Sequence, residues 1–197
     1  RCSMDFWSRE RILRGVLSPL RAAALWAAAA ILLGAARLFA ASPHPGASLR
    51  SGLAYAELAW GAAAAGFLAV AAYVDAALQI LPDPLVASAA AAASLSAASR
   101  GLDEFLASAA GGALFFLAAF ALTLVTSLGR GDAKLTGALG LWTGQPQPML
   151  FGLAVGVVCA GIVACALLAV GRIGRRTRMA LGPWLVAGAS VAWAGNC

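Results

Sequence analysis

Two aspartates at the ends of long apolar runs are the residues of this chain best suited to do chemistry. Asp75 closes one run and Asp132 closes another. A carboxylate at the edge of a hydrocarbon layer is costly unless it is solvated, paired or protonated. Two such groups in contact can share a proton, because each charge disfavours ionisation of the other. The pair could then act on a peptide bond, one member accepting a proton from attacking water while the protonated member polarises the carbonyl.

Glycines flank the second aspartate in the segment Gly-Arg-Gly-Asp-Ala-Lys-Leu, residues 129–135. Gly129 and Gly131 permit a close approach that a side chain would block, so that a substrate strand or a partner carboxylate could reach Asp132. The same four residues, Gly-Arg-Gly-Asp, also fit an ordinary loop with a helix cap. Lys134 is either an anchor at the membrane surface or a cation that tunes Asp132 electrostatically. Both interpretations of the segment stay open at this level.

A proline pair follows the first aspartate. Pro82 and Pro84 fit the start of a helix with Asp83 as its cap, since proline is tolerated in the first helical turn. Asp75 taken alone also fits a helix that simply ends at the membrane interface. Glu57 is a third acid near the start of the same apolar run, where a structural or solvated role is favoured over a functional one.

The composition places the whole chain in a lipid bilayer. Of its 197 residues, 62% are hydrophobic and only 11% are charged, and the mean hydropathy of +0.86 is far above that of a soluble domain. The charges are confined to short segments between apolar runs, as expected when only loops meet water. The net charge of +6 is therefore explained by membrane topology. No nucleic-acid partner is predicted.

The apolar runs predict an all-α polytopic membrane protein with about six to seven transmembrane helices. Residues 1–197 form a single domain, in which 1–19 are a basic amphipathic lead-in at the cytoplasmic surface. After Asp132, residues 135–144 form a helix that is too short for a hydrocarbon core of about 30 Å unless the bilayer is thinned or the aspartate lies within it. The longer predicted spans are about 20–41, 52–74, 84–99, 104–128, 149–170 and 179–195.

Positive charge predicts which side of the membrane each loop faces. With the N-terminus in the cytoplasm, and with residues 135–146 crossing, the basic segment 172–178 is also cytoplasmic. The same parity puts the turn after Asp75 and the segment that carries Asp132 on the cytoplasmic side. The two aspartates are therefore expected at one face of an inner or plasma membrane, at similar depth.

The cysteines and the histidine predict neither a metal site nor a disulfide framework. Cys2, Cys159, Cys165 and Cys197 form no CxxC pair, and His44 is the only histidine. Cys159 and Cys165 lie in an apolar run and are interpreted as small buried hydrophobic residues. No metal and no cofactor is expected.

Three segments together resemble the prepilin peptidase family, the membrane aspartyl proteases also called type IV leader peptidases. The resemblance covers about residues 73–190. It includes the family's first aspartate with its Leu-Pro-Asp element, the GxGD-x-KL element, and a glycine-proline segment in the last helix. In this chain the segments are Tyr73-Val-Asp75 with Ile80-Leu-Pro-Asp83, Gly129-Arg-Gly-Asp132-Ala-Lys134-Leu135, and Leu181-Gly-Pro-Trp-Leu.

The resemblance implies an endopeptidase that removes the short basic leader from prepilin-like or preflagellin-like precursors at the cytoplasmic face. It makes Asp75 and Asp132 the catalytic pair. The residues that it places in support are Gly129, Gly131, Lys134, Pro82 and Asp83. Longer family members carry a cytoplasmic insert with paired cysteines and can methylate the new N-terminus. This chain shows no such insert, which argues against methyltransferase activity.

Two other classes of function fit the same acids. A small cation- or proton-coupled transporter would bind or relay ions through Asp75, Asp132 and Glu57, but it needs acids near the midplane rather than at one face. A non-enzymatic assembly factor would work without either aspartate. The precursor that is cleaved and the oligomeric state do not follow from the sequence.

Overall fold

A computed structural model describes residues 51–126, 129–171 and 180–195, together with positions 24, 28 and 32, which are helical. The described chain is built from helices: α1 (Ser51–Leu78), α2 (Asp83–Arg100), α3 (Leu102–Val125), α4 (Arg130–Thr143), α5 (Pro146–Ala169) and α6 (Gly182–Gly195). The predicted all-α fold is confirmed. The lead-in at 1–19, the basic segment 172–178 and, apart from those three positions, the first span at 20–41 lie outside the described residues.

Three of the described helices are long and apolar enough to cross a membrane, namely Tyr55–Leu78, Leu102–Val125 and Pro146–Ala169. The last of these buries little of its surface within the protein. Its cysteines show the consequence: Cys165 is exposed and Cys159 is only partly buried. The interpretation of both as buried residues is therefore wrong, because α5 turns much of its surface outward, where lipid would surround it.

Among the helix boundaries that differ from the prediction, two lie at the aspartates. α1 continues past Asp75 to Leu78 and stops at Gln79, whose φ is 53°. The residues after Asp75 are two alanines and a leucine, which propagate a helix readily. α4 begins at Arg130, so that Asp132 lies in the first turn of a helix and not in a loop. Both aspartates are thus held on helices.

α4 is a short, buried helix at the centre of the described bundle. Its 14 residues extend only about 21 Å, less than a hydrocarbon core. Leu135 and Leu139 are fully buried on it. Glycines bring α3 very close, since a Cβ added to Gly140 would lie 3.1 Å from the Cα of Gly112. The helix that carries Asp132 is therefore fixed by packing along its length.

The far end of α4 is joined to α1 and α6 by tryptophans. The Nε1–H of Trp142 donates a hydrogen bond of 2.9 Å to the carbonyl oxygen of Gly61 on α1. The same indole stacks on Trp193 of α6, with 5.1 Å between ring centroids. This contact fixes α4 against the helices that begin or end near Asp75.

Candidate active site

Asp75 lies in the last turn of α1, and only 7% of its surface is exposed. Its Oδ2 accepts a hydrogen bond of 3.0 Å from the backbone N–H of Gly182, the first residue of α6. The approach is close enough that a Cβ on Gly182 would lie 2.5 Å from Oδ2. The carboxylate is therefore held by the main chain of a helix far away in sequence.

Asp132 lies half-buried in the first turn of α4. Burial raises the pKa of Asp132 above its ordinary value, the charge of Asp75 raises it further, and a hydrogen bond from the backbone of Gly129 opposes the rise. The two carboxyl groups thus interact electrostatically. The structure brings together the two acids that the sequence singled out.

The two glycines before Asp132 have separate local roles. Gly129 adopts an extended conformation as the N-cap of α4, and its carbonyl oxygen accepts a 3.0 Å hydrogen bond from the N–H of Asp132. Gly131 faces the turn between α1 and α2, where an added Cβ would lie 3.2 Å from the Cβ of Leu81. The absence of a side chain at Gly131 therefore lets the turn after Asp75 approach the start of α4.

Asp83 and Lys134 pair with each other. The Nζ of Lys134 lies 2.8 Å from both carboxylate oxygens of Asp83, and both side chains are exposed. The interpretation of Asp83 as a helix cap is wrong, because Pro82 occupies the N-cap position of α2 and no side chain caps the helix there. The ion pair joins the first turn of α2 to the first turn of α4.

A cavity of about 450 Å³ opens between α2, α3 and α4 beside this ion pair. Apart from Asp83 and Lys134 its walls are small or apolar. They are formed by Val86, Ala87, Ala90, Gly112, Ala113, Phe116, Gly137, Ala138 and Leu141. The interhelical cavity thus has a charged end, formed by Asp83 and Lys134, and an otherwise apolar interior.

Glu57, the other acid of α1, does not belong to the site. Glu57 lies 18 residues before Asp75 on the same helix, which is about 27 Å along the axis. Its Oε1 forms an ion pair of 3.1 Å with the guanidinium of Arg100. The structure therefore separates Glu57 from the aspartate pair and places it in a cluster of its own.

Gly182 contacts a proposed catalytic residue but is not among the site residues predicted from the sequence. The glycine-proline segment that contains it was recognised by resemblance, but nothing in the segment indicates that its amide reaches Asp75, more than a hundred residues earlier. Among the described residues, no group of three or more histidine, cysteine, aspartate or glutamate side chains could hold a metal ion. The described site offers two carboxyl groups that interact electrostatically.

Comparison with protein families gives one match. A family model described as the type IV leader peptidase family matches residues 62–170. That range includes both aspartates, the Asp83–Lys134 pair and the interhelical cavity. No curated protein and no solved structure matches the chain.

Proposed function

Because the chain belongs to the type IV leader peptidase family, we propose that it is a membrane-embedded aspartyl endopeptidase with Asp75 and Asp132 as its catalytic pair. One observation carries the assignment of residues. The two carboxyls, distant in sequence, lie in the last turn of α1 and the first turn of α4, where Gly131 packs on Leu81 just after α1, and the charge of Asp75 raises the pKa of Asp132. Electrostatic coupling of this kind is what a shared-proton aspartate pair requires.

The proposed reaction needs only these groups and water. The ionised carboxylate takes a proton from water as the water oxygen bonds to the peptide carbonyl carbon, and the protonated carboxyl donates its proton to the carbonyl oxygen. The tetrahedral intermediate then collapses. Its C–N bond breaks, the amine nitrogen leaves with a proton from the first carboxyl, and the second recovers its proton from the hydroxyl that re-forms the carbonyl.

The proposed substrates are prepilin-like or preflagellin-like precursors, cleaved between a short basic leader and the apolar segment that follows. Family membership supports this class of substrate, and the charge distribution of the loops supports cleavage at the cytoplasmic face. The interhelical cavity also supports it, because its walls are apolar, lie partly on the helix that carries Asp132, and could receive apolar side chains of the precursor.

Cleavage of defined precursors tests the proposal. The purified protein in lipid nanodiscs is incubated with a panel of prepilin-like and preflagellin-like precursors, and mass spectrometry locates the cut. We expect cleavage at the junction between the basic leader and the apolar segment. The same panel with Asp75→Asn and with Asp132→Asn provides the control. Cleavage elsewhere, or cleavage that survives both substitutions, would overturn the assignment.

A further inference from the structure

Gly182, the first residue of α6, donates one main-chain hydrogen bond to the carboxylate of Asp75. The N–H groups in the first turn of a helix have no partner within that helix. That of Gly182 donates to Oδ2 of Asp75 at 3.0 Å in a buried position. Pro183 has no N–H, and the N–H of Trp184 is bonded to the carbonyl oxygen of Leu181 at 3.1 Å. One amide therefore holds one carboxylate oxygen.

The space around this contact admits only glycine. A Cβ at position 182 would lie 2.5 Å from Oδ2 of Asp75 and 3.2 Å from its Cγ. Any larger residue must push the carboxylate or the start of α6 aside. Gly182 and Pro183 thus combine two properties: no side chain at the first position, and no competing donor at the second.

We propose that Gly182 is a positioning residue for the catalytic pair. Its amide fixes the orientation of the Asp75 carboxylate, and leaves Oδ1 to accept the proton from water. The inference rests on the proposed function. It also gives α6 a part in the active site, although α6 lies beyond the family-matched residues 62–170.

The attachment of α6 to the bundle does not depend on this contact alone. Leu185, Val186 and Ala189 of α6 belong to the buried apolar core. A Cβ on Gly152 of α5 would lie 2.9 Å from the carbonyl oxygen of Gly188, so α5 also packs closely on α6 more than one turn beyond Gly182. Packing of α6 can therefore be perturbed at a place that does not touch its contact with Asp75.

Matched glycine-to-alanine variants use this separation. Gly182→Ala and Gly152→Ala introduce nearest contacts of 2.5 Å and 2.9 Å, but only the first is with Asp75. For Gly182→Ala we expect a loss of kcat of about 100-fold with KM little changed, because a catalytic group moved by about 1 Å loses that much. For Gly152→Ala we expect a lower Tm and an unchanged kcat per folded molecule. Gly161→Ala, with open space around it, serves as the neutral control.

An amide-to-ester replacement at position 182 removes the donor without adding an atom, so it tests the inference even if Gly182→Ala fails to fold. Incorporation of glycolic acid there should lower kcat about tenfold, the typical value of a hydrogen bond to a charged acceptor. Wild-type kcat in the ester variant, or equal kcat losses in the two alanine variants, would overturn the inference. Residual cleavage by Asp75→Asn at the wild-type rate would instead refute the proposed function.

Discussion

The two ends of α4 lie in opposite electrostatic settings. At its first turn, Asp132 and the neighbouring Asp75 bring like charges together in a largely buried place. Beyond its last turn, Arg100 lies among acceptors. Its guanidinium pairs with Glu57 at 3.1 Å and lies 3.8 Å from Glu104, and it donates to Ser108 at 3.4 Å. Two like charges influence each other at the first end, whereas acids and a cation are paired at the other.

The difference shows where this fold gains stability and where it gives stability up. Bringing two carboxyls together in a low-dielectric place is unfavourable for folding, yet it is what gives the pair its acid–base chemistry. In the Arg100 cluster the two acids, Glu57 and Glu104, share one cation, and the cluster joins α1, α2 and α3. Substitutions at the two ends should therefore affect different observables: catalysis at the first, stability at the second.

The largest expected effect is the loss of cleavage on replacing either aspartate. Asp132→Asn keeps the shape of the side chain but can neither accept nor donate the transferred proton, so we expect the cleavage rate to fall by at least about 10³-fold. The Tm should stay unchanged or rise at neutral pH, because the amide carries no charge that burial disfavours. Cleavage assays and thermal unfolding of the same nanodisc preparation measure both.

An aspartate at the opposite end provides the matched control for this loss. Asp103 lies exposed in the first turn of α3. Asp103→Asn should leave the cleavage rate and the Tm near wild-type values. Equal losses of cleavage in Asp103→Asn and Asp132→Asn would contradict the separation of the two ends.

The next largest effect is the loss of stability when Arg100, the cation beyond the last turn of α4, is replaced. Arg100→Ala leaves the carboxylate of Glu57 without its guanidinium partner in a place that is only partly exposed. A lost hydrogen bond to a charged group costs about 2 kcal/mol, which should lower the Tm by several degrees. The kcat of the folded fraction should not change.

A second substitution checks the cause of this destabilisation. Arg100→Met combined with Glu57→Gln removes both charges and should recover part of the lost Tm. If the double variant were as unstable as Arg100→Ala, the ion pair would not be the source of the stability.

Hydropathy and charge predict the all-α fold, and they place the two aspartates at one face of it. Contacts between distant side chains did not follow from them. Asp83 has the position of a helix cap in the sequence, but its carboxylate turns to Lys134, and only the packing of α2 against α4 brings the two within reach. Gly182 reaches Asp75 through the packing of α6 on α1, which no local pattern encodes.

The pH dependence of stability gives a smaller effect at the active-site end. Because the pKa of Asp132 is raised in the folded protein, the folded state holds a proton that the unfolded state has already released. Wild-type stability should therefore fall as the pH rises from the ordinary aspartate pKa of 3.8 through the raised value. Asp132→Asn should show a shallower fall in Tm over that window. Parallel curves for the two proteins would contradict the raised pKa.

The smallest expected effect concerns the exposed ion pair between Asp83, at the start of α2, and Lys134, near the start of α4. An exposed pair such as Asp83–Lys134 contributes only about 0–1 kcal/mol, so neither Asp83→Lys nor Lys134→Asp should change the Tm much. Each reversal does, however, place two like charges where Asp83 and Lys134 are paired, at the contact between the starts of α2 and α4. Repulsion there should move Asp132 relative to Asp75 and lower kcat several-fold.

The double reversal, Asp83→Lys with Lys134→Asp, restores an ion pair of opposite polarity at the same place. If the pair acts by holding the first turns of α2 and α4 together, kcat should recover in the double variant, because attraction does not depend on which helix carries the cation. If Lys134 instead acts on Asp132 through its own charge, the double variant should stay as impaired as Lys134→Asp. A double-mutant cycle in kcat therefore decides between two roles of the Asp83–Lys134 pair. The pair either holds two helices together, as Arg100 does, or acts on Asp132 through the charge of Lys134.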